Sequence, residues 1–297
     1  MNPHEPQCPW FVSLHGGHSG AYCDHAEDTL EGLVRRAIAL GMPVYGLTEH
    51  APRVAPEHIY TEERSMGWDP AHLLRLFADY AAEARRLQAA YAGGIEILVG
   101  FEAEVVPQPD YASVMLGLRE QHQLDYIVGS VHWVDGIIID YTRAEFDRAV
   151  SACGGREALA LRYYETVAEM VEGLRPEVVG HLDLVRRHGG DDPAFETPAV
   201  RARAGAVLAL MKEQGAILDI NTAALRKGLS APYPAPWLLE AARDRGVACC
   251  FGDDAHRVSE VGAGIAEARD YLLAHGITEV TVLAKGGGGI ERRVVAL

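Results

Sequence analysis

Short runs rich in valine and isoleucine alternate in this chain with longer stretches whose apolar residues recur at helical spacing. The runs that we interpret as strands are 10–15, 44–50, 96–105, 125–134, 177–185, 216–225 and 247–256. The helical pattern occupies 29–41, 69–91, 156–174, 199–215 and 236–246. A repeated strand-then-helix order predicts parallel strands in an α/β fold. Because no linker-like segment interrupts the series, we expect a single domain over residues 1–297, closed as a barrel.

The charge of the chain restricts the partners that it can bind. There are 42 acidic and 27 basic side chains, so the formal net charge is -15. Polymeric nucleic acid is disfavoured, because its binding depends on lysine and arginine displacing counterions. The amino terminus has no basic segment followed by an apolar run, and the five cysteines form no Cys-x-x-Cys pair. We therefore expect a cytoplasmic protein without a membrane segment.

Residue types that bind metals lie at the ends of six of the seven predicted strands. They are His15 and His18, Glu49 and His50, Glu102 and Glu104, His132, His181, and Asp253, Asp254 and His256. In a parallel barrel the carboxyl ends of all strands share one face, so these side chains are expected to converge. Imidazole with carboxylate suits zinc, iron or manganese. Six other histidines lie in loops or on helical faces and are interpreted as structural: His4, His58, His72, His122, His188 and His275.

Several segments, taken in order, resemble the PHP (polymerase and histidinol phosphatase) family of phosphoesterases, in particular its histidinol-phosphate phosphatases. They are HGGHSGAYCDHAEDTLEG, GLTEHAP, GFEAE, DYIVGSVHWVDG, VVGHLDL, INTAALRKG followed by PYPAP, and GDDAH. The resemblance covers nearly the whole chain. It implies a distorted (β/α)7 TIM-like barrel with two or three divalent transition-metal ions: zinc, iron or manganese.

The same resemblance implies the metal ligands by motif. They are His15, His18, His25, His50, Glu102, His132, His181, Asp254 and His256. Glu102 is expected to bridge two ions and is preferred to Glu104, because the family motif is Gly-x-Glu. Asp254 is preferred to Asp253, because the Asp-x-His spacing places it on the same side of a strand as His256.

The implied activity is hydrolysis of a small phosphate monoester, with L-histidinol phosphate of histidine biosynthesis as the favoured substrate. Two nearby metal ions can provide a nucleophile at neutral pH and offset charge on the phosphoryl oxygens. Glu102, Asp254 and His256 are expected to act in catalysis. Arg226, Lys227 and Asn221 are expected to bind the substrate, the two cations through its phosphate.

Three other functions stay open from the sequence. Another PHP phosphoesterase would act on a nucleotide or an oligonucleotide end. An amidohydrolase or deaminase also gathers histidines and an aspartate at a barrel mouth, although the carboxylate on the third strand fits a phosphoesterase better. A metal-stabilised binding module would have closed coordination. The sequence also allows a homo-oligomer.

The first pair of histidines departs from the family pattern, which is His-x-His. Here two glycines separate His15 from His18. Side chains three apart on a regular strand face opposite sides, so a regular strand would not aim both at one ion. Glycine admits a bulge or positive φ at little steric cost. We therefore predict that the strand ends at about His15 and that Gly16 and Gly17 turn His18 back into the pocket.

Overall fold

Ten strands and ten α-helices make up the computed structural model, which describes residues 8–297; His4 lies outside the described residues. The strands are β1 Val44–Leu47, β2 Glu96–Ala103, β3 Tyr126–Gly129, β4 Trp133–Val134, β5 Ile137–Ile138, β6 Val178–Val179, β7 Ile217–Asn221, β8 Cys249–Gly252, β9 Glu279–Gly286 and β10 Gly289–Ala296. The helices are α1 Leu30–Ala39, α2 Thr61–Ser65, α3 Pro70–Ala90, α4 Tyr111–His122, α5 Arg143–Cys153, α6 Arg156–Leu174, α7 Pro198–Gln214, α8 Ala223–Arg226, α9 Pro236–Arg245 and α10 Ile265–Ala274.

Six of the strands form one parallel sheet in the order β1-β2-β3-β6-β7-β8. Consecutive members are joined by crossovers that contain α3, α4, α6, α7 and α9. Short antiparallel β4 and β5 form a separate hairpin within the third crossover. The chain therefore follows the strand-then-helix order that the apolar pattern predicted.

The segment 12–16 lies between the two edges of this sheet and closes it into a barrel. The amide of Leu14 donates to the carbonyl of Phe251 in β8 at 2.8 Å, and the amide of Gly46 in β1 donates to the carbonyl of Ser13 at 2.8 Å. The predicted strand 10–15 is reduced to one parallel bridge, Ser13 with Tyr45. The prediction of a distorted TIM-like barrel is confirmed, and this segment takes the place of the seventh strand.

The other strands are shorter than the apolar runs that predicted them. The run 177–185 contains only the two-residue β6, and 247–256 contains only the four-residue β8. Most of the remaining residues of each run follow the strand at the carboxyl edge of the sheet, and they include the buried polar side chains of His181, Asp253 and Asp254. Helices α2, α4, α5, α8 and α10 were not predicted, and α8 replaces the end of the predicted strand 216–225. None of the helices described in residues 8–297 is long and apolar enough to cross a membrane.

The antiparallel hairpin of β9 and β10 was also missed. Its turn lies in the glycine run 286–289, and the residues on both sides pair over eight positions. Val282 and Leu283 of β9 pack in the barrel interior with residues from the amino-terminal ends of the strands, such as Val44 and Val178. The hairpin therefore closes the end of the barrel opposite the carboxyl edge.

We predict that Leu283→Ala lowers the free energy of unfolding by about 2–5 kcal/mol, because it leaves a cavity in a closed interior. The side chain of Leu283 is 0% exposed. The matched control is Val294→Ala in β10, where the side chain is 62% exposed and a change within about 0.5 kcal/mol is expected. Chemical denaturation measures both. Equal effects of the two substitutions would show that the hairpin does not contribute to the core.

Candidate metal centre

The turn after His15 folds as the glycine pair predicts. Gly17 has φ +78°, and a Cβ there would lie 2.8 Å from a methyl carbon of Leu47. The amide of His18 then donates to the carbonyl of Ala255 at 3.0 Å. Both His15 and His18 are fully buried, with ring centroids 6.0 Å apart. The predicted return of His18 into the pocket is confirmed, while its metal coordination stays a prediction.

The carboxylate of Glu102 lies at the centre of the histidine cluster. Its Oε1 is 3.2 Å from Nε2 of His15, 3.1 Å from Nε2 of His181 and 3.6 Å from Nε2 of His132. Its Oε2 faces the other way, 2.8 Å from Nδ1 of His50. The side chain is only 1% exposed. Two oxygens that face two separate sets of imidazoles are the arrangement that a bridging carboxylate requires.

The second set of imidazoles lies beside His18 and Asp254. The ring of His18 stacks on those of His50 and His256, with centroids 4.2 and 4.3 Å apart. Oδ1 of Asp254 is 3.4 Å from Nε2 of His18 and 3.7 Å from Nδ1 of His256. Nε2 of His25 is 3.2 Å from Nε2 of His50. The structure thus brings together every residue of the predicted ligand set.

These side chains fit transition-metal ions. Donor atoms of several subsets lie within 4.8 Å of one another, for example those of His15, His18 and Glu102. Within residues 8–297, the buried Nε2 atoms of His15, His18 and His256 have no hydrogen-bond partner. Buried polar atoms are almost always satisfied in folded proteins, so a converging set of unsatisfied imidazole nitrogens indicates metal ligation.

Carboxylates outside the predicted ligand set orient several of these rings. Asp219 Oδ2 is 2.7 Å from Nδ1 of His15, and Glu104 Oε1 is 3.0 Å from Nδ1 of His132. Such carboxylates fix the tautomer and raise the basicity of a metal-bound imidazole. Sequence reasoning had weighed Glu104 as a ligand and had missed Asp219. The signal for Asp219 was available, since it lies two residues before Asn221 on the same face of a strand.

Asn221 does not face the cavity. Its side chain is 0% exposed, its amide nitrogen donates to Asp219 Oδ2 at 3.0 Å, and its amide oxygen accepts from the amide of Ala223 at 3.0 Å. Its hydrogen bonds are therefore made within the protein. The geometry supports positioning of Asp219 by Asn221 and gives no support to the predicted contact with substrate.

The pKa values of two histidines in the cluster reflect the carboxylates beside them, whereas burial and the neighbouring His18 lower the pKa values of His50 and His256. Burial lowers the pKa of His18, but its contacts with Asp254 and Glu49 outweigh burial and raise the pKa to about 9. Burial likewise lowers the pKa of His132, while Glu104 and Glu102 raise it to about 10. The carboxylates thus stabilise positive charge even at buried positions, as a site for cations requires.

A cavity of about 410 Å³ opens above the cluster. Its lining includes the metal-ligand candidates His25, His50, Glu102, His132, His181, Asp254 and His256. The predicted cations Arg226 and Lys227 also line it, as do Arg187 and Arg257, which sequence reasoning did not select. Nη2 of Arg226 donates to the carbonyls of Asp253 and Asp254 at 2.7 and 2.9 Å, which holds its guanidinium at the edge of the site.

Comparison with known proteins agrees with this geometry. Residues 15–223, more than half of the chain, match the PHP domain. The chain belongs to the PHP family. A protein of Schizosaccharomyces pombe named a probable histidinol-phosphatase is 34% identical over 286 residues, which cover 94% of this chain and 91% of that protein. The histidinol-phosphatase of Saccharomyces cerevisiae is 28% identical over 292 residues, covering 87% of each.

A solved PHP-family structure has the same fold. The histidinol phosphate phosphatase of Lactococcus lactis subsp. lactis Il1403 superposes with a TM-score of 0.70 at 20% identity, covering 94% of this chain and 98% of that one. That structure is described as complexed with zinc, L-histidinol and phosphate.

We predict that Asp219→Asn weakens metal binding about 10- to 100-fold, because the amide no longer supports the imidazole of His15 as a carboxylate does. The measurement is a competition titration with a chelator. Asp270→Asn is the matched control, because the Asp270 side chain is 78% exposed. Unchanged affinity in folded Asp219→Asn protein would remove Asp219 from the centre.

Proposed function

We propose that this protein hydrolyses a small phosphate monoester and that its substrate is L-histidinol phosphate, which yields L-histidinol and phosphate. The observation that carries the proposal is that one cavity is lined both by the predicted metal ligands and by basic side chains. Its floor is the histidine and carboxylate cluster around Glu102, and its wall carries Arg187, Arg226 and Lys227. The names of the relatives and the ligands of the L. lactis structure support the same substrate.

Two or three divalent ions, zinc, iron or manganese, complete the proposed site. His15, His18 and Glu102 form one set of donors, and His25, His50 and His256 form another. Ions bound there supply an activated water at neutral pH and offset charge on the phosphoryl oxygens. Glu102 links the sets, because its two oxygens face different imidazoles.

The basic side chains on the wall hold the phosphate in this proposal. Nζ of Lys227 lies 3.8 Å from Oδ2 of Asp254, so the ammonium points toward the metal ligands. Arg226 is fixed by two carbonyls, and Arg187 enters the cavity from the loop after His181. A phosphate between these cations and the metal ligands would place its ester bond over the cluster.

Other residues that line the cavity complement a cationic substrate with a flat ring. Asp140 lines it and makes no ion pair within residues 8–297, whereas Glu260 lies 3.2 Å from Arg257 and 3.6 Å from Arg226. Tyr60 and Tyr141 stack there with centroids 5.5 Å apart. Asp140 would therefore accept the ammonium group of histidinol phosphate, and the tyrosines would pack against its imidazole.

The competing proposal is that the protein is a PHP phosphoesterase that acts on a nucleotide or an oligonucleotide end. A function as an amidohydrolase or deaminase is less well supported. The acid at Asp140 disfavours a nucleotide, whose sugar and base carry no cation. The single-domain organisation, a homo-oligomer and a cytoplasmic location stay predictions.

The proposed activity is tested by measuring phosphate release from L-histidinol phosphate, a nucleoside monophosphate and an aryl phosphate, each with and without chelator. We expect hydrolysis that the chelator abolishes, with L-histidinol phosphate preferred. Glu102→Gln should lower both metal content and kcat, by about 10- to 100-fold, because the negative charge of this carboxylate lies beside both sets of ligands. Glu213→Gln on the exposed face of α7 is the control. Preference for the nucleotide, or activity that survives chelation, would contradict the proposal.

Substrate selectivity gives a separate prediction for Asp140→Asn. Loss of a charge-assisted hydrogen bond should raise KM for L-histidinol phosphate about 10-fold or more. KM for an aryl phosphate should not change, because that substrate has no ammonium group. Asp147→Asn, where the side chain is 53% exposed on α5, is the control. A parallel rise in both KM values would mean that Asp140 does not recognise the amine.

A further inference from the structure

A cysteine lies at the edge of the metal centre. Cys23 is 4% exposed, and its Sγ is 3.2 and 3.4 Å from Nδ1 and Nε2 of His25. Donor atoms of Cys23, His25, His50 and His256 all lie within 4.8 Å of one another. The thiol is therefore part of a four-residue cluster.

The three histidines of this cluster present the same nitrogen. An oxygen faces Nδ1 in each ring: Asp24 Oδ1 at 2.9 Å for His25, Glu102 Oε2 at 2.8 Å for His50, and the carbonyl of Asp254 at 3.0 Å for His256. Such a partner keeps the proton on Nδ1 and leaves the lone pair on Nε2. The Nε2 atom of His256 is buried without a hydrogen-bond partner in the described part of the chain.

Two distances within the cluster are close to the edges of a zinc tetrahedron. With Zn–N near 2.0–2.1 Å and Zn–S near 2.3 Å, a tetrahedral ion separates two nitrogens by about 3.3 Å and a sulfur from a nitrogen by about 3.5 Å. The Nε2 atoms of His25 and His50 are 3.2 Å apart. Sγ of Cys23 is 3.4 Å from Nε2 of His25.

We propose that the thiolate of Cys23 is a further protein ligand of the ion held by His25, His50 and His256. Coordination forms a metal–sulfur bond and releases the thiol proton to solvent. One thiolate with three imidazoles favours zinc over manganese at this position, since manganese prefers oxygen ligands. The inference rests on the metal centre of the proposed function and adds a ligand to it.

The remaining cysteines let a sulfur signal be assigned. Cys8 is exposed, Cys153 ends α5, and Cys249 and Cys250 are buried in β8. Cys23 belongs to a cluster of potential metal ligands that also contains His25, His50 and His256. A thiolate bound to metal in this protein is therefore expected to be Cys23.

The first measurement uses the full-length protein loaded with cobalt(II) as the probe metal. Wild type is expected to show a near-ultraviolet charge-transfer band from thiolate to cobalt. Cys23→Ser should lose the band, and the matched control Cys153→Ser should keep it. A wild-type spectrum without the band, or a Cys23→Ser spectrum that keeps it, overturns the proposal.

The second measurement does not depend on any variant folding. X-ray absorption of zinc-loaded wild type should contain a zinc–sulfur shell at about 2.3 Å. A shell of nitrogen and oxygen alone overturns the proposal. Phosphate release assayed on the same preparation separates the two proposals: active protein without sulfur coordination would overturn only the role of Cys23, and inactive protein with it would overturn only the proposed function.

Discussion

The carboxylate of Glu102 connects the two halves of the site, and the arrangement around it depends on that connection. One oxygen faces the imidazoles of His15, His132 and His181, and the other faces His50. A buried carboxylate is costly unless cations or hydrogen-bond donors compensate it. The imidazoles provide this compensation, and burial, which alone would raise the pKa of Glu102, is outweighed by His132 and His15, so that the pKa is lowered.

The barrel positions these groups through its backbone as much as through packing. Gly17 turns His18 back with a positive φ, and Asp254 adopts φ 49° although it is not glycine. A non-glycine residue in this region carries a cost of about 1–3 kcal/mol that the surroundings must offset. Here the amide of Asp254 donates to the carbonyl of His15 at 2.7 Å, and Arg226 holds its carbonyl. The segment 12–16 and the loop after β8 are thereby joined where the predicted ligands His15, His18 and Asp254 meet.

The charge distribution reconciles an acidic protein with an anionic substrate. The net charge of -15 is spread over the whole chain, whereas the cavity wall carries Arg187, Arg226, Lys227 and Arg257. Local cations and bound dications determine the potential that a phosphate meets inside a cavity, because a low-dielectric wall focuses the field of nearby groups. Asp140 lines the same cavity and adds a negative charge to it.

The sequence by itself determined the order of strands and helices and the residues at the strand ends. Apolar periodicity is local, and parallel strands must bring their carboxyl ends to one face, so His15, His50, Glu102, His132 and Asp254 could be predicted to converge. Even the turn at Gly16 and Gly17 followed from local backbone freedom. Only the tertiary structure decided where Asp219, Asn221, Cys23 and Asp140 lie relative to the site, and that the carboxyl-terminal hairpin closes one end of the barrel. Each of these depends on which side chain from a distant segment faces which atom, and that depends on packing in three dimensions rather than on spacing along the chain.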